Sequence, residues 1–283
     1  MDIRTVGVVG CGQMGSGIVE VVARAGYEVI VLEVNDEFLQ RGLARVQASM
    51  ERAVKRGKMT AEERDSAWAR IRGTTNMDDF HECELVIEAA IEQLDIKQNI
   101  FKELDDITPK EALLASNTSS ISLTALAAAT SRPDKVLGLH FFNPAPVMPL
   151  VEIVRAVTTS DESVAIAQHF VDSLGKKPVL AKDTPGFIVN RLLVPYLIDA
   201  IRMYEQGLAS KEDIDSAMKL GANHPMGPLQ LSDFIGLDTL LYVAEVLYEE
   251  LAEPRLAPPP LLRRMVAAGF LGRKSGRGFY EYE

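Results

Sequence analysis

The chain has 283 residues, enough for two domains with a full hydrophobic core. Apolar residues make up 47% and charged residues 25%, a globular balance that excludes a disordered chain. The formal net charge of −10 excludes the basic surface that sequence-independent nucleic-acid binding needs, and leaves anionic ligands to local cations and helix N-termini.

Cys11 and Cys83 lie far apart without metal-ligand spacing, so neither a disulfide framework nor a metal site is expected, and a reducing cytoplasm is the expected location. MDIRTVGVVG shows no secretory pattern. No apolar run is long enough to span a bilayer, since LLVPYLIDAI is broken by Pro195 and Asp199; a membrane partner is not expected.

From the N-terminus, strand-like and helix-like patterns alternate. RTVGVVG predicts a buried strand, 13–25 a helix ended by Gly26, and YEVIVLEV a second buried strand, which together predict a right-handed parallel crossover. Residues 36–57 predict a long helix closed by Gly57, and the capping box Thr60-Ala-Glu-Glu63 opens another. This helix pair is an insertion relative to a minimal crossover.

Strand-like runs recur at 84–89, 112–116, 135–141, 150–154 and 177–181, with helical patterns at 94–105, 121–129 and 161–174 between several of them. The rhythm changes at KDTPGF, 182–187, after which helical periodicity covers 187–206, 211–220, 228–251 and 259–268. The fold class predicted is α/β: an N-terminal Rossmann-like doubly wound sheet over 1–184 with an inserted helical hairpin, then an all-α domain over 185–283.

Gly10-Cys11-Gly12-Gln13-Met14-Gly15 falls between the first strand and the first helix, where a pyrophosphate-binding turn belongs. Gly10 permits the tight turn, Gly12 lets backbone approach the phosphates, and Gly15 allows close helix–strand packing, with helix N–H groups turned toward the anion. Glu33 ends the second strand 18 residues after Gly15. A carboxylate there accepts from a ribose diol and repels a 2′-phosphate, so the cofactor expected is NAD.

In GLHFFNPAPVMPLVEIV, 138–154, His140 and Glu152 sit on two strand-like segments joined by a proline loop that can return the chain. An imidazole suits proton removal from an alcohol during hydride transfer, and a carboxylate on its other nitrogen fixes the tautomer. Taken alone, a strand-end histidine is also an ordinary structural residue.

The sequence resembles the 3-hydroxyacyl-CoA dehydrogenase family, and within it the short, single-function 3-hydroxybutyryl-CoA dehydrogenases. The match is carried by VGVVGCGQMGSGI (6–18), ASNTSSIS (115–122), GLHFFNPAPVMPLVEIV (138–154), KDTPGFIVNRLLVPYL (182–197), and GANHPMGPLQLSDFIGLD (221–238) with GRKSGRGFYEY (272–282). The resemblance implies NAD-dependent oxidation of an (S)-3-hydroxyacyl-CoA, within fatty-acid or butyrate metabolism. It also implies a homodimer formed through the helical domain.

By the same resemblance, His140 is the catalytic base and Glu152 its orienting partner. Ser119 and Asn190 hold the substrate's reacting oxygen. Glu92 and Lys97 lie beside the nicotinamide ribose, with Asn117 and Asn143 near the cofactor, while Gln13 and Met14 belong to the glycine turn. Glu33 stands where the family usually has Asp. Read without the family, Ser119 is also a candidate N-cap, Asn190 a helix cross-link and Lys97 a solvated helix lysine. Arg52 and Lys55 share a helix face with Arg56 in SMERAVKRGKM, either as a patch for the anionic coenzyme A or as cations favoured at a helix C-terminus.

Overall fold

The computed structural model describes residues 2–282. The chain divides into two compact units, one ending at Thr184 and the other beginning at Pro185.

The first unit opens with β1 (Thr5–Val9), α1 (Gln13–Arg24), β2 (Glu28–Leu32), α2 (Asp36–Lys55), α3 (Ala61–Trp68) and β3 (Ile71–Thr74). It continues through β4 (Leu85–Glu88), α4 (Leu94–Ile107), β5 (Leu113–Ser116), α5 (Leu123–Ala127), β6 (Val136–Phe141), β7 (Leu150–Arg155), α6 (Asp161–Ser173) and β8 (Lys177–Lys182). The strands form one sheet in the order β3-β2-β1-β4-β5-β6-β7-β8. Every neighbouring pair is parallel except β6 with β7. The winding reverses between β1 and β4, which opens a crevice at the carboxyl ends of these strands.

The apolar runs become strands because both sheet faces are covered. In β4 and β5 every residue is buried, the pattern of a strand with helices on either side. The capping box at Thr60 forms as expected and starts α3. Helix α1 crosses β1 very closely: a Cβ placed on Gly15 would lie 1.9 Å from the Gly10 carbonyl oxygen.

Two elements differ from the sequence expectation. Strand β3 was not expected, because IRGT buries only its last residue and carries no apolar run; it forms by pairing with β2 at the sheet edge. The single helix expected over 228–251 is two helices. Gly236, at φ 102°, breaks the chain between Ile235 and Leu237. The apolar stripe continues across that break because both pieces bury against the same core, so periodicity alone did not register it.

The second unit is helical: α7 (Val189–Glu205), α8 (Lys211–Gly221), α9 (Pro228–Ile235), α10 (Leu237–Leu251) and α11 (Pro260–Ala267). Its core includes Leu197, Ile201, Leu229, Leu240 and Leu247. The C-terminal segment is fastened by the buried Asp233, which accepts from Phe279 N, Tyr280 N and Tyr282 Oη, each at 2.9 Å. Among the described residues no helix is long and apolar enough to cross a membrane.

The Gly15 contact makes a stability prediction. Gly15→Ala forces α1 away from β1, and urea unfolding is expected to show a loss of about 1–3 kcal/mol. A midpoint equal to that of the native chain contradicts the close crossing.

Candidate active site

The glycine turn lies at the carboxyl end of β1. Gly10 has φ +88°, and a Cβ there would lie 2.8 Å from the Ala89 carbonyl oxygen, so glycine alone fits. Helix α1 starts at Gly12 without a side-chain cap or an acidic first turn. The N–H groups of Gln13, Met14 and Gly15 have no acceptor among the described residues. A Cβ added to Gly12 would meet nothing within 4 Å, so an anion has open access to these donors. Glu33, just past β2, is fixed against the turn: its Oε1 accepts from Cys11 N at 2.7 Å. This donor set fits a diphosphate flanked by a ribose diol. Cys11 itself is buried; burial and then the Glu33 charge push its thiol up to about 12, leaving it unreactive.

Beside the turn, at the ends of β4 and β5, lies a buried network. Glu88 Oε1 accepts from Lys97 Nζ and from Ala90 N, each at 2.6 Å, and its Oε2 accepts from Ser116 Oγ at 2.6 Å. Lys97 also lies 3.3 Å from Glu92 Oε2. Glu92 Oε1 accepts from Ser119 N at 3.0 Å, Ser120 Oγ at 3.1 Å and Thr118 Oγ1. Burial alone would push the Glu92 carboxyl up, but Lys97 and these donors outweigh it and hold the group below its ordinary range.

Lys97 is thus 1% exposed and ion-paired rather than a solvated helix lysine. Ser119 is not a helix N-cap; that place is taken by Ser122, which accepts from Ala125 N. The Ser119 hydroxyl makes no hydrogen bond among the described residues. Asn117 joins strand ends, its N donating to Glu88 O at 2.7 Å and its Oδ1 accepting from Phe141 N at 2.8 Å. Glu88 was missed by sequence reasoning. Its signal was an acid closing the apolar run LVIE, which reads as a solvated strand end until its donors are known.

The antiparallel pairing of β6 and β7 sets His140 directly opposite Glu152, on one face of the sheet. His140 Nδ1 lies 2.8 Å from Glu152 Oε2, with the two residues 6% and 0% exposed. Phe142 packs on the imidazole with ring centroids 4.6 Å apart. The proline loop between the strands is held by Lys176, whose Nζ donates to Ala145 O and Met148 O, each at 2.7 Å.

A groove of about 400 Å³ runs between α1, α2 and the loop at 143–146. Arg41, Arg45 and Arg52 line it from α2, with Gln13, Ser16 and Asn143 opposite. Arg45 also donates to Cys11 O at 2.8 Å. Of the two cations expected to meet a CoA, Arg52 lines this groove and Lys55 does not; Lys55 lies exposed in the last turn of α2. Sequence reasoning missed Arg41 and Arg45, which with Arg52 follow one another at spacings of four and seven residues along one helical stripe. Asn190 belongs to the helical unit, half-buried in the first turn of α7.

Comparison with known proteins matches both units. Residues 5–184 match the description "3-hydroxyacyl-CoA dehydrogenase, NAD binding domain", and residues 186–282 match "3-hydroxyacyl-CoA dehydrogenase, C-terminal domain". The chain is 54% identical over 282 residues to a 3-hydroxybutyryl-CoA dehydrogenase of Mycobacterium tuberculosis, covering 99% of each. It superposes on the crystal structure of M. tuberculosis FadB2 with a TM-score of 0.98 at 53% identity, covering 100% of both chains. It matches the (S)-3-hydroxybutyryl-CoA dehydrogenase PaaH1 of Ralstonia eutropha at a TM-score of 0.95 and 51% identity, again over 100% of both. With both family descriptions matched in order and full-length relatives of this identity, the chain belongs to the 3-hydroxyacyl-CoA dehydrogenase family.

Proposed function

We propose that the protein catalyses the NAD-dependent, reversible oxidation of (S)-3-hydroxyacyl-CoA to 3-oxoacyl-CoA, with short-chain 3-hydroxybutyryl-CoA as substrate. The observation that carries this is the buried His140–Glu152 pair. Support also comes from relatives named 3-hydroxybutyryl-CoA dehydrogenase at 54% and 48% identity.

NAD+, when bound, accepts the hydride released from C3 of the alcohol. The α1 N-terminus, with Gln13 and Met14, would hold its diphosphate, and Glu33 a ribose diol. Glu92, Lys97, Asn117 and Asn143 would lie around its nicotinamide half. His140 acts as the base. In the neutral ring the Nδ1–H donates to Glu152, so Nε2 is the nitrogen that takes the hydroxyl proton. As the ring becomes cationic, the Glu152 carboxylate stabilises it across a 2.8 Å contact in a buried setting. In the reverse direction the same nitrogen returns the proton to the forming alcohol. Ser119 donates to the substrate oxygen, and the family motif gives Asn190 the same oxygen. Arg52, with Arg41 and Arg45, would neutralise phosphates of coenzyme A.

A homodimer through the helical unit and a cytoplasmic location complete the proposal. Exposed Leu192, Leu208, Leu220 and Phe234 supply apolar surface in that unit, and both cysteines are buried and free.

Four outcomes test this. His140→Gln is expected to lower turnover of acetoacetyl-CoA by about 10²–10⁴, the contribution of a general base, with NADH binding unchanged in a fluorescence titration. Retained turnover contradicts the assignment. Gly12→Ala is expected to keep or slightly raise thermal stability, because its Cβ meets no atom within 4 Å, while weakening NADH by about tenfold or more. Unchanged NADH affinity would remove the diphosphate from this turn. Arg52→Met is expected to raise the KM for acetoacetyl-CoA by about tenfold, the loss of one charged hydrogen bond, with little change in kcat. Equal activity of the native enzyme on free 3-hydroxybutyrate would show that coenzyme A is not recognised.

A further inference from the structure

Glu88 has no part in the chemistry above, yet it is as fully buried as Glu152. A carboxylate inside a sheet is costly unless its lone pairs are filled. Three donors at 2.6 Å fill those of Glu88: Lys97 Nζ, Ala90 N and Ser116 Oγ. Stability does not require such a set, since apolar residues of similar volume often serve a sheet as well or better. Its geometry has a different consequence, because both arms that leave Glu88 end on the turn at 116–120.

On one arm, Ser116 donates its hydroxyl hydrogen to Glu88 and accepts from Thr118 N at 3.1 Å. On the other, Lys97 bridges Glu88 to Glu92, and Glu92 accepts from Ser119 N at 3.0 Å. The adjacent Thr118 and Ser119 amides are therefore held one by each arm, by Ser116 and by Glu92. Glu88 faces Ser116 in the parallel register of β4 and β5, so the anchor belongs to the sheet itself and not to a mobile loop. It also lies at the switch-point crevice, where Ala89 touches the Gly10 turn.

We infer that Glu88 is a positioning residue. It acts through Lys97 and Glu92 on one side, and through Ser116 on the other, to hold the turn that presents the Ser119 hydroxyl to the substrate oxygen. This rests on the role proposed for Ser119.

The test compares Ser119→Ala, Glu88→Gln, the double variant and Ser116→Ala in acetoacetyl-CoA reduction. Glu88→Gln is expected to lower kcat by about 10- to 100-fold, the effect of a displaced positioning group, with the acetoacetyl-CoA KM within about threefold of native. In the Ser119→Ala background the same substitution is expected to cost less than about threefold, because its route of action is already gone. Hydrogen exchange on the unliganded protein gives a second readout. The Thr118–Ser120 amides are expected to exchange at least about tenfold faster in Glu88→Gln, with β4 and β5 unchanged. Ser116→Ala cuts one arm without altering charge; should Glu88→Gln not fold, it is expected to show the same pattern at smaller amplitude. Native kcat in Glu88→Gln or Ser116→Ala overturns the inference, as does an equal loss with and without Ser119. If Ser119→Ala alone retains native kcat, the Ser119 assignment falls and this one with it. If Ser119→Ala is impaired while the Glu88 and Ser116 variants are not, only the Glu88 assignment falls.

Discussion

The 2.8 Å contact between His140 and Glu152 is the interaction on which the rest depends. An imidazole and a carboxylate buried in a sheet must be partnered, and each supplies what the other lacks. One antiparallel pairing in an otherwise parallel sheet achieves this, because only an antiparallel neighbour can bring residues twelve apart in sequence directly opposite each other through a short loop. The proline loop, held by the Lys176 ammonium on two of its carbonyls, is the connection that sets this register.

The other groups gather at the carboxyl ends of the parallel strands for a topological reason. The sheet reverses its winding between β1 and β4, so the Gly10 turn, the end of β4 and the turn after β5 open onto one crevice. Each strand end carries different chemistry. β1 delivers the unpaired N–H groups of α1, β2 leads into Glu33, and β4 and β5 deliver the Glu88–Lys97–Ser116 network. In this groove positive charge comes from the α2 stripe of Arg41, Arg45 and Arg52, which lets a chain of net charge −10 receive an anionic ligand locally.

Much of this was legible in the sequence, and the exceptions share a cause. Strands such as β4 and β5 announce themselves because burial on both faces demands continuous apolar runs, and the glycine turn because Gly10 and Gly15 have no room for a Cβ. His140 and Glu152 were readable as a pair because the loop between them is short and stiff. What was hidden depends on partners distant in sequence. β3 exists only by pairing with β2. Glu88 looks like a solvated strand end until Lys97 and Ser116 close over it. Arg45 looks like any helix arginine until it reaches the Cys11 carbonyl. The break at Gly236 was masked because the helices on either side bury into one core.

The central claim is that Glu152 fixes the tautomer of His140, and it can be observed without turnover. Long-range ¹H–¹⁵N correlation spectra of histidine-labelled protein report which ring nitrogen carries the proton. The four histidines can be separated by single substitution. The account expects neutral His140 to carry its proton on Nδ1, with Glu152→Gln disturbing that preference. A neutral His140 protonated on Nε2, unaffected by Glu152→Gln, would contradict it.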